Sequence, residues 1–188
     1  MEQIGAYHLS DNPNLYEPQR NNNFEFIVTG IDNIVNAGYD NGQRIPNAAE
    51  ILKYSVVKVD VPSFQQSTIE IRRGNSVMKA AGLPTFSDGS LVVRDFIGSD
   101  SKSTLMSWQY LSYNPKTETV GRMSDYKKTC YLVEYDMDHT TIVRTWKMMG
   151  CWVSNLTEDG FDTTNGDEKQ VTAQIQYDKA FMELPEEL

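Results

Sequence analysis

The stretch TCYLVEYDMDHTTIVRTWKMMGCWVSNL, residues 129–156, decides the fold class. Two runs within it, 129–136 and 141–149, are rich in β-branched and aromatic residues, which favour β-strands. The polar segment 137–139 separates them, so the sequence predicts two paired antiparallel strands joined by a tight turn. A third run, 151–156, either continues the same sheet or leaves it.

Further short runs with strand character lie on both sides of this stretch. In the first of them Phe24, Phe26 and Val28 alternate with other residues, which predicts a half-buried strand. Gly74-Asn75 is a two-residue hairpin signal between two others. Together with the run expected to be the last strand of the chain, these runs cover residues 23–29, 54–61, 67–73, 76–81, 90–96 and 170–178.

One clear amphipathic helix is predicted among these strands. Leu105, Trp108 and Leu111 are spaced so that they share one helical face. A polar residue within 99–101 can cap the first turn, because its side-chain oxygen accepts from a backbone N–H group. Asn114-Pro115 ends the helix, since proline cannot continue it.

These elements define the expected fold class and domain organisation. Eight or so short strands and one helix predict a mainly β protein, an antiparallel β-sandwich or barrel with one flanking α-helix. The 188 residues, 39% of them hydrophobic, suit a single core. We expect an N-terminal arm at 1–23 and one β domain at 24–188. A long insertion at about 30–52 within that domain includes a short helix near 48–52.

The charge of the chain argues against several functions. The formal net charge is −9, and residues 158–188 carry nine acidic and two basic side chains, hence −7 of that total. We therefore expect neither stable nucleic-acid binding nor docking on anionic membranes, both of which need clustered Lys and Arg. No apolar run approaches the roughly 20 residues of a membrane span. The first residues lack a signal-peptide pattern, so Cys130 and Cys151 are expected to be reduced core thiols.

The sequence offers little for catalysis or metal binding. His8 and His139 belong to no recognisable Ser–His or Cys–His nucleophile pattern, and there is no phosphate-binding loop or Gly-rich dinucleotide turn. The polar clusters 136–139 and 162–168 do not have the ligand spacing of known metal sites. We therefore expect no enzyme activity and no catalytic residue, cofactor or metal site. The Trp and Met residues of 146–152 are expected to pack in the core rather than to line a ligand pocket.

An ordered series of short segments resembles the tail tube proteins of contractile-tailed, T4-like bacteriophages, whose fold is shared by type VI secretion tube proteins. None of these segments is specific for the family by itself. Their order along most of the chain is specific for it. The segments are Phe24-Glu25-Phe26, Val59-Asp60-Val61-Pro62, the hairpin from Ile69 to Met78, Leu91-Val92-Val93, Trp108-Gln109, Asp125-Tyr126-Lys127-Lys128, Met149-Gly150-Cys151-Trp152-Val153-Ser154-Asn155 and Gln170 to Tyr177.

This resemblance implies a structural virion protein. Tail tube subunits form six-membered rings in which strands of neighbours join into a continuous barrel, and the rings stack head to tail into a hollow tube. The implied partners are copies of the same chain, the tail sheath protein, and the baseplate and tail-terminator proteins. DNA would pass through the tube without being bound stably. The implied location is the virion tail, after assembly in the host cytoplasm.

Charged residues in two segments are candidate contacts between rings or with the lumen. The predicted hairpin has basic residues near its turn, whereas segment 158–168 is acidic, so the two would pair between subunits and determine the stacking register. The alternative is two solvated charge clusters. The candidate residues are Glu70, Arg72, Arg73, Lys79, Glu158, Asp159, Asp162, Asp167 and Glu168.

Three alternative functions remain open at this point. A baseplate or tail-tip subunit would start the tube rather than fill it, and a type VI secretion tube protein would transport no DNA. The third alternative is a monomeric β-barrel that binds a small molecule. The arm at 1–23 and the insertion at 30–52 depart from the family pattern, which favours an additional inter-subunit contact or a specialised tube member.

Overall fold

A computed structural model describes residues 18–37, 42–98, 101–158, 160–164 and 166–183. Within them the strands are β1 Phe24–Thr29, β2 Ile34–Val35, β3 Arg44–Ile45, β4 Val56–Val59, β5 Phe64–Arg73, β6 Ser76–Phe86, β7 Gly89–Arg94, β8 Tyr113–Asn114, β9 Thr119–Val120, β10 Lys128–Tyr135, β11 Ile142–Glu158, β12 Gln170–Gln176 and β13 Lys179–Glu183. The helices there are α1 Ala48–Ser55, α2 Ser101–Ser112 and α3 Met123–Tyr126.

A seven-stranded antiparallel sheet forms the body of the protein. Its strand order is β1-β10-β11-β12-β7-β4, and β13 pairs separately with β11. The two ends of this order, β1 and β4, contact each other, so the sheet curls into an incompletely closed barrel. We call the place where they meet the seam. Along β12 the buried residues Val171, Ala173 and Ile175 alternate with half-exposed polar ones, as expected for a sheet with one face in the core.

The long strand β11 belongs to both halves of the curled sheet. Its residues 145–149 pair with β13, while 152–158 pair with β12. Gly150 lies between the two parts with a φ of 71°, a left-handed conformation that side chains disfavour and glycine adopts readily. The run 151–156 therefore continues the sheet that begins upstream and carries it round a bend.

The core lies inside the curl and is covered by the helices. Trp108 of α2 is fully buried, and its indole Nε1 donates a hydrogen bond to the Tyr126 carbonyl oxygen at 2.8 Å. Cys130 and Cys151 are buried free thiols on adjacent strands. The predicted insertion contains the β2–β3 hairpin and most of α1, and its residues Ile31, Ile34, Ile45, Ala48 and Leu52 join this core.

The structure confirms the predicted fold class and corrects some of its details. Of the three helices in the described residues, α2 is the predicted flanking helix, α1 extends the short helix expected near 48–52, and α3 was not predicted. Tyr54 and Ser55 belong to α1 and not to a strand, because Ala48, Leu52 and Ser55 are buried on one face of a helix at spacings of four and three. The run 170–178 is not the last strand, since β13 follows it and returns to β11. Of the predicted arm, residues 1–17 lie outside the described residues, as do Ser99 and Asp100 of the predicted cap.

No helix in the described ranges has the length and apolar character needed to cross a membrane.

Candidate functional site: an assembly surface

The hairpin formed by β5 and β6 stands apart from the main sheet. These two strands pair only with each other in the described residues, and every residue of β5 is exposed. The strands have 10 and 11 residues, so the hairpin is far longer than a simple connection requires. Because an isolated two-stranded hairpin is marginally stable in water, its long exposed strands indicate a surface completed by another molecule.

The hairpin has one apolar and one charged face. Ile69 is paired with Ala80 and Ile71 with Met78, and the side chains of such pairs lie on the same face. Ile69 is 52% exposed and Met78 53% exposed, although residues of this type are usually buried. Exposed contiguous apolar surface of this kind is typical of protein–protein contacts.

Residues of the charged face alternate with those of the apolar face along both strands of the hairpin. Glu70 is paired with Lys79, and Arg72 with Val77, in the register of the hairpin. Arg73 immediately precedes the Gly74-Asn75 turn. Within the described part of the chain, the side chains of Glu70, Arg72, Arg73 and Lys79 have no hydrogen bond and no ion pair with N···O of 4.0 Å or less. They are available to a second molecule.

The acidic segment, in contrast, is largely engaged within its own subunit. The Glu158 carboxylate accepts from Lys102 Nζ at 2.7 Å and lies 3.2 Å from Lys169 Nζ. These interactions, the hydrogen bond from Lys102 first, lower the pKa of Glu158. Arg94 donates two hydrogen bonds to Glu168, at 2.5 and 3.0 Å, and lowers its pKa. The two ion-paired glutamates attach the loop after β11 to α2 and β7.

The remaining acidic candidates differ in their surroundings. Asp162 accepts hydrogen bonds from the Thr164 backbone N–H at 2.9 Å and from its hydroxyl at 2.7 Å, which lower the pKa of Asp162. Asp167 also interacts within the chain, and Asp159 lies outside the described residues. No ion pair in the described ranges joins the hairpin to this segment. The structure of one subunit therefore does not bring the two predicted charge clusters together.

A groove at the seam was not predicted from the sequence. It has a volume of about 700 Å³ and lies between β4 and the ends of β1, β10 and β11. Glu134 in its wall accepts from Trp146 Nε1 at 2.9 Å and Gln19 Nε2 at 3.1 Å, and pairs with Arg144 Nε at 3.3 Å. No local pattern indicates this groove, because its walls come from three separate parts of the sequence, within 19–24, 57–61 and 132–146. We call it the seam groove.

Among the residues considered for metal binding or catalysis, Asp138 has a structural role, whereas His8 lies outside the described residues. Asp138 accepts hydrogen bonds from the backbone N–H groups of Thr140 and Thr141, and their hydroxyls donate to it as well. These bonds hold its pKa well below the ordinary range and shape the turn in which His139 has a φ of 55°. Burial raises the pKa of the Cys130 thiol, which makes it a poor nucleophile. In the described ranges no group of three or more His, Cys, Asp and Glu side chains is arranged to hold a metal ion.

The overall structure is similar to solved tube proteins of contractile injection systems. One is from the sheath–tube complex of the extracellular contractile injection system PVC in its extended state, with a TM-score of 0.64 and 17% identity, covering 90% of this chain and 94% of that one. Another is from the tube-terminating cap of the anti-feeding prophage, with a TM-score of 0.63 and 14% identity, covering 89% and 92%. At such low identities the likeness concerns the fold, which is that of contractile-system tubes.

The sequence relationship is more specific. Residues 22–180 match the family of the T4-like virus tail tube protein gp19, and the chain belongs to this family. The tail tube protein gp19 of Enterobacteria phage T4 is 27% identical over 107 residues, which are 55% of this chain and 66% of that protein. Its counterpart in phage T6 matches to the same extent, so the alignment spans just under two thirds of these relatives. The resemblance to T4-like tail tube proteins predicted from the sequence is therefore confirmed.

Proposed function

We propose that copies of this chain close into six-membered rings that stack head to tail into a hollow tube, and that DNA passes through it into the host. Family membership supports the tube. The similar anti-feeding prophage baseplate, with a TM-score of 0.56, was solved with 6-fold symmetry, which supports the ring size. Head-to-tail contacts repeat without limit, so such stacking produces a filament rather than a closed particle.

The β5–β6 hairpin is the observation on which the proposal depends. Its apolar face has no partner among the described residues of its own chain, yet half-exposed Ile and Met side chains are favourably buried at about 25 cal/mol per Å². A neighbouring subunit supplies that partner. The strands at the sheet ends, β1, β4 and β13, also have edges that a neighbour's strand can complete.

DNA transport is compatible with the charge of the subunit. A net charge of −9 repels phosphate over about 8 Å at physiological salt, so DNA slides along the wall without lasting contacts. The tube has no need of a catalytic group, and we assign the chain no enzymatic role. We place assembly of the tube in the host cytoplasm.

The proposed protein partners follow from the assemblies of the similar structures. These structures come from a sheath–tube complex, a sheath/tube terminator, a tube-terminating cap and a baseplate. We assign this chain the corresponding partners, namely the tail sheath, terminator and baseplate proteins. The baseplate similarity also supports a second candidate role, a tail-tip subunit that starts the tube. Counting copies per virion by quantitative mass spectrometry separates the two, because an initiator occupies one or two rings.

The test of the assembly proposal replaces Ile69 and Ile71 by Lys. The exchange places two charges on the apolar face without removing any core residue, so the variant is expected to fold but to form no tubes in negative-stain electron micrographs. The control, Thr68→Lys with Val77→Lys, puts the same charges on the other face of the same strands. Tubes of normal length and yield from the first variant would contradict a role for the apolar face.

The charged hairpin end is proposed to determine the stacking register. Arg72 and Arg73 would contact segment 158–168 of a neighbour, where Asp162 has no ion pair within its own subunit among the described residues. Reversing both arginines to Glu should impair polymerisation while the monomer stays folded. Adding Asp162→Lys and Asp167→Lys should restore it if the contact is direct. Normal tubes from the double-arginine variant would rule the contact out.

A further inference from the structure

We propose that Tyr177 is a positioning residue for assembly: its side chain holds the base of the β5–β6 hairpin, residues 63–66 and 84–87, and so fixes the direction in which the hairpin leaves the barrel. Tyr177 follows the last residue of β12 and is buried, so it belongs to the barrel and not to the hairpin. Its importance for tube formation rests on the proposed assembly role of the hairpin.

The Tyr177 hydroxyl binds the backbone where the chain enters the hairpin. It accepts a hydrogen bond from the Ser63 N–H at 3.1 Å and donates one to the Ser63 carbonyl oxygen at 3.3 Å. Burial raises the pKa of Tyr177, so the hydroxyl keeps the proton that it donates. The same carbonyl oxygen accepts from the Ser87 N–H at 3.0 Å, just after β6 ends. One phenol group therefore fixes the residue at which the two strands of the hairpin come together.

The Tyr177 ring contacts the returning strand of the hairpin. Its centre lies 6.0 Å from that of the Phe86 ring, in an edge-to-face arrangement at 61°. Phe86 in turn lies 5.8 Å from Phe64, its partner in the register of β5 and β6. Aromatic rings at these separations attract each other beyond the effect of the area that they bury. The hairpin base is thus attached to the barrel through both of its strands.

A bulge separates the hairpin base from the outer hairpin, residues 68–73 and 76–81. The register shifts between Gln66 and Thr68, so that Gly82 and Leu83 of β6 stand opposite Ser67 alone. A bulge of this kind bends its strand and increases the local twist. A Cβ at Gly82 would lie 2.8 Å from the Ser67 carbonyl oxygen, so a side chain there would force the strands apart. The outer hairpin therefore leaves in a direction that the backbone of the base determines.

The length of the hairpin makes its tip sensitive to the orientation of the base. The ten residues of β5 span about 33 Å at about 3.3 Å per residue. A rotation of about 10° at the base would move the Gly74-Asn75 turn by about 6 Å, which exceeds the spacing of about 4.8 Å between neighbouring strands. Loss of the Tyr177 hydrogen bonds therefore changes where the apolar face of the hairpin meets a neighbouring subunit.

The direct test measures the direction of the hairpin in the separate subunit. Nitroxide spin labels are attached to Asn75→Cys at the tip and to Asn155→Cys on β11, both at exposed positions. The native thiols of Cys130 and Cys151 are buried and do not compete for the label. The full chain carries the two lysines on the apolar face that are expected to prevent tube formation. Double electron–electron resonance then gives the distribution of distances between the labels.

The distribution is expected to be narrow, and Tyr177→Phe should broaden it several-fold, because the ring remains while the hydroxyl is lost. Tyr135→Phe is the matched control, since it removes a hydroxyl that donates to Glu25 at 2.9 Å, away from the hairpin. It should leave the distribution unchanged. A purely structural role of Tyr177 would lower the melting temperature without broadening the distribution.

The same two substitutions, in the chain without labels and without the added lysines, test the consequence for assembly. Tyr177→Phe should raise the lowest protein concentration at which tubes form by several-fold, as measured by sedimentation and negative-stain micrographs. Tyr135→Phe should leave this concentration unchanged. The melting temperatures of the separate subunits show whether the two variants are equally folded.

Two results would overturn the inference. An equally narrow distance distribution in Tyr177→Phe would show that the hydroxyl does not hold the hairpin. An equal rise in the tube-forming concentration for both variants would show that the effect is not specific to the hairpin base. If the variant with two lysines on the apolar face forms tubes, the assembly proposal fails. The distances are then measured below the concentration at which tubes form, and they still decide the role of Tyr177.

Discussion

At the scale of single residues, Gly150 is the position at which strand β11, and with it the sheet, bends. Its φ of 71° bends β11, and the Asp178 carboxylate lies where a Cβ would be, with Cγ only 2.7 Å from that position. The same carboxylate accepts from Lys127 Nζ at 2.8 and 2.7 Å. Glycine is therefore required at this position for two reasons. It adopts the left-handed backbone conformation readily, and its lack of a Cβ lets a charged side chain approach closely.

Gly150→Ala is expected to destabilise the subunit by more than the roughly 1–2 kcal/mol that a left-handed conformation costs a residue with a Cβ. Gly30→Ala is the matched control, because Gly30 has a φ of 72° but a Cβ there would approach no atom beyond its chain neighbours more closely than Lys128 Cδ, at 3.9 Å. The difference in urea-unfolding free energy between the two variants isolates the contact with Asp178. Equal losses would show that the conformation alone matters.

Trp108 combines complete burial with a hydrogen bond to the Tyr126 carbonyl. Trp108→Phe is expected to cost about 1–3 kcal/mol, because the smaller ring leaves the carbonyl unpaired and part of the space empty. Trp152, half-buried with its ring 5.9 Å from that of Tyr126, serves as the comparison. Thermal unfolding should show a smaller loss for Trp152→Phe than for Trp108→Phe, and the reverse order would contradict the assigned role.

The elements of this protein divide into those that complete the core and one that does not. α1 and α2 cover the curled sheet, and β13 adds an edge to it, whereas the β5–β6 hairpin contributes little to the core. The loop between β11 and β12 is intermediate, since it is exposed but attached at its two ends through Glu158 and Glu168.

Removing the ion pairs at one end of the loop between β11 and β12 should increase the mobility of the loop. It should have little effect on the free energy of unfolding of the subunit. Glu158→Gln removes the ion pairs with Lys102 and Lys169, which lie near the surface and together contribute at most about 1 kcal/mol. We expect faster cleavage by a Glu- or Asp-specific protease within 159–168 and an almost unchanged melting temperature. Glu118→Gln, an exposed site, is the control. Equal cleavage rates in the two variants would show that the ion pairs do not restrain the loop.

For the whole molecule, the paired carboxylates make the stability dependent on pH. The pKa values of Glu158 and Glu168 are lower than their ordinary value of 4.5 because Lys102 and Arg94 donate hydrogen bonds to them. A lowered carboxylate pKa in the folded state stabilises that state above the ordinary value, and this stabilisation is lost as the pH falls through the folded-state pKa.

The subunit is therefore expected to lose stability progressively as the pH decreases below about 4.5. A variant with Glu158→Gln and Glu168→Gln should have a flatter dependence in that range, because two of the responsible groups no longer titrate. Urea unfolding at pH 7, 5, 4 and 3 provides the comparison. Parallel curves for the two proteins would show that other groups cause the acid sensitivity.

At every scale, the features foreseen from the sequence were those with a local signal. Alternation predicted β1 and β12, runs rich in β-forming residues predicted β10 and the strands of the hairpin, and the Gly74-Asn75 turn predicted where that hairpin reverses. Helical spacing around Trp108 predicted α2. These patterns depend on neighbours only a few residues away, so they are readable without the fold. The same applies to the ordered segments that indicated the tail tube family.

Tertiary structure alone decided the features that depend on distant segments. The sequence predicted that Tyr54 and Ser55 belong to a strand. Packing of Ala48 and Leu52 on the core instead extends helix α1 through these two residues. The bend at Gly150 and the pairing of β13 with β11 arise only when the sheet curls. The seam groove and the unpartnered face of the hairpin likewise appear only in the folded subunit. The sequence determines which faces are apolar, whereas the fold determines which of those faces find a partner within the chain.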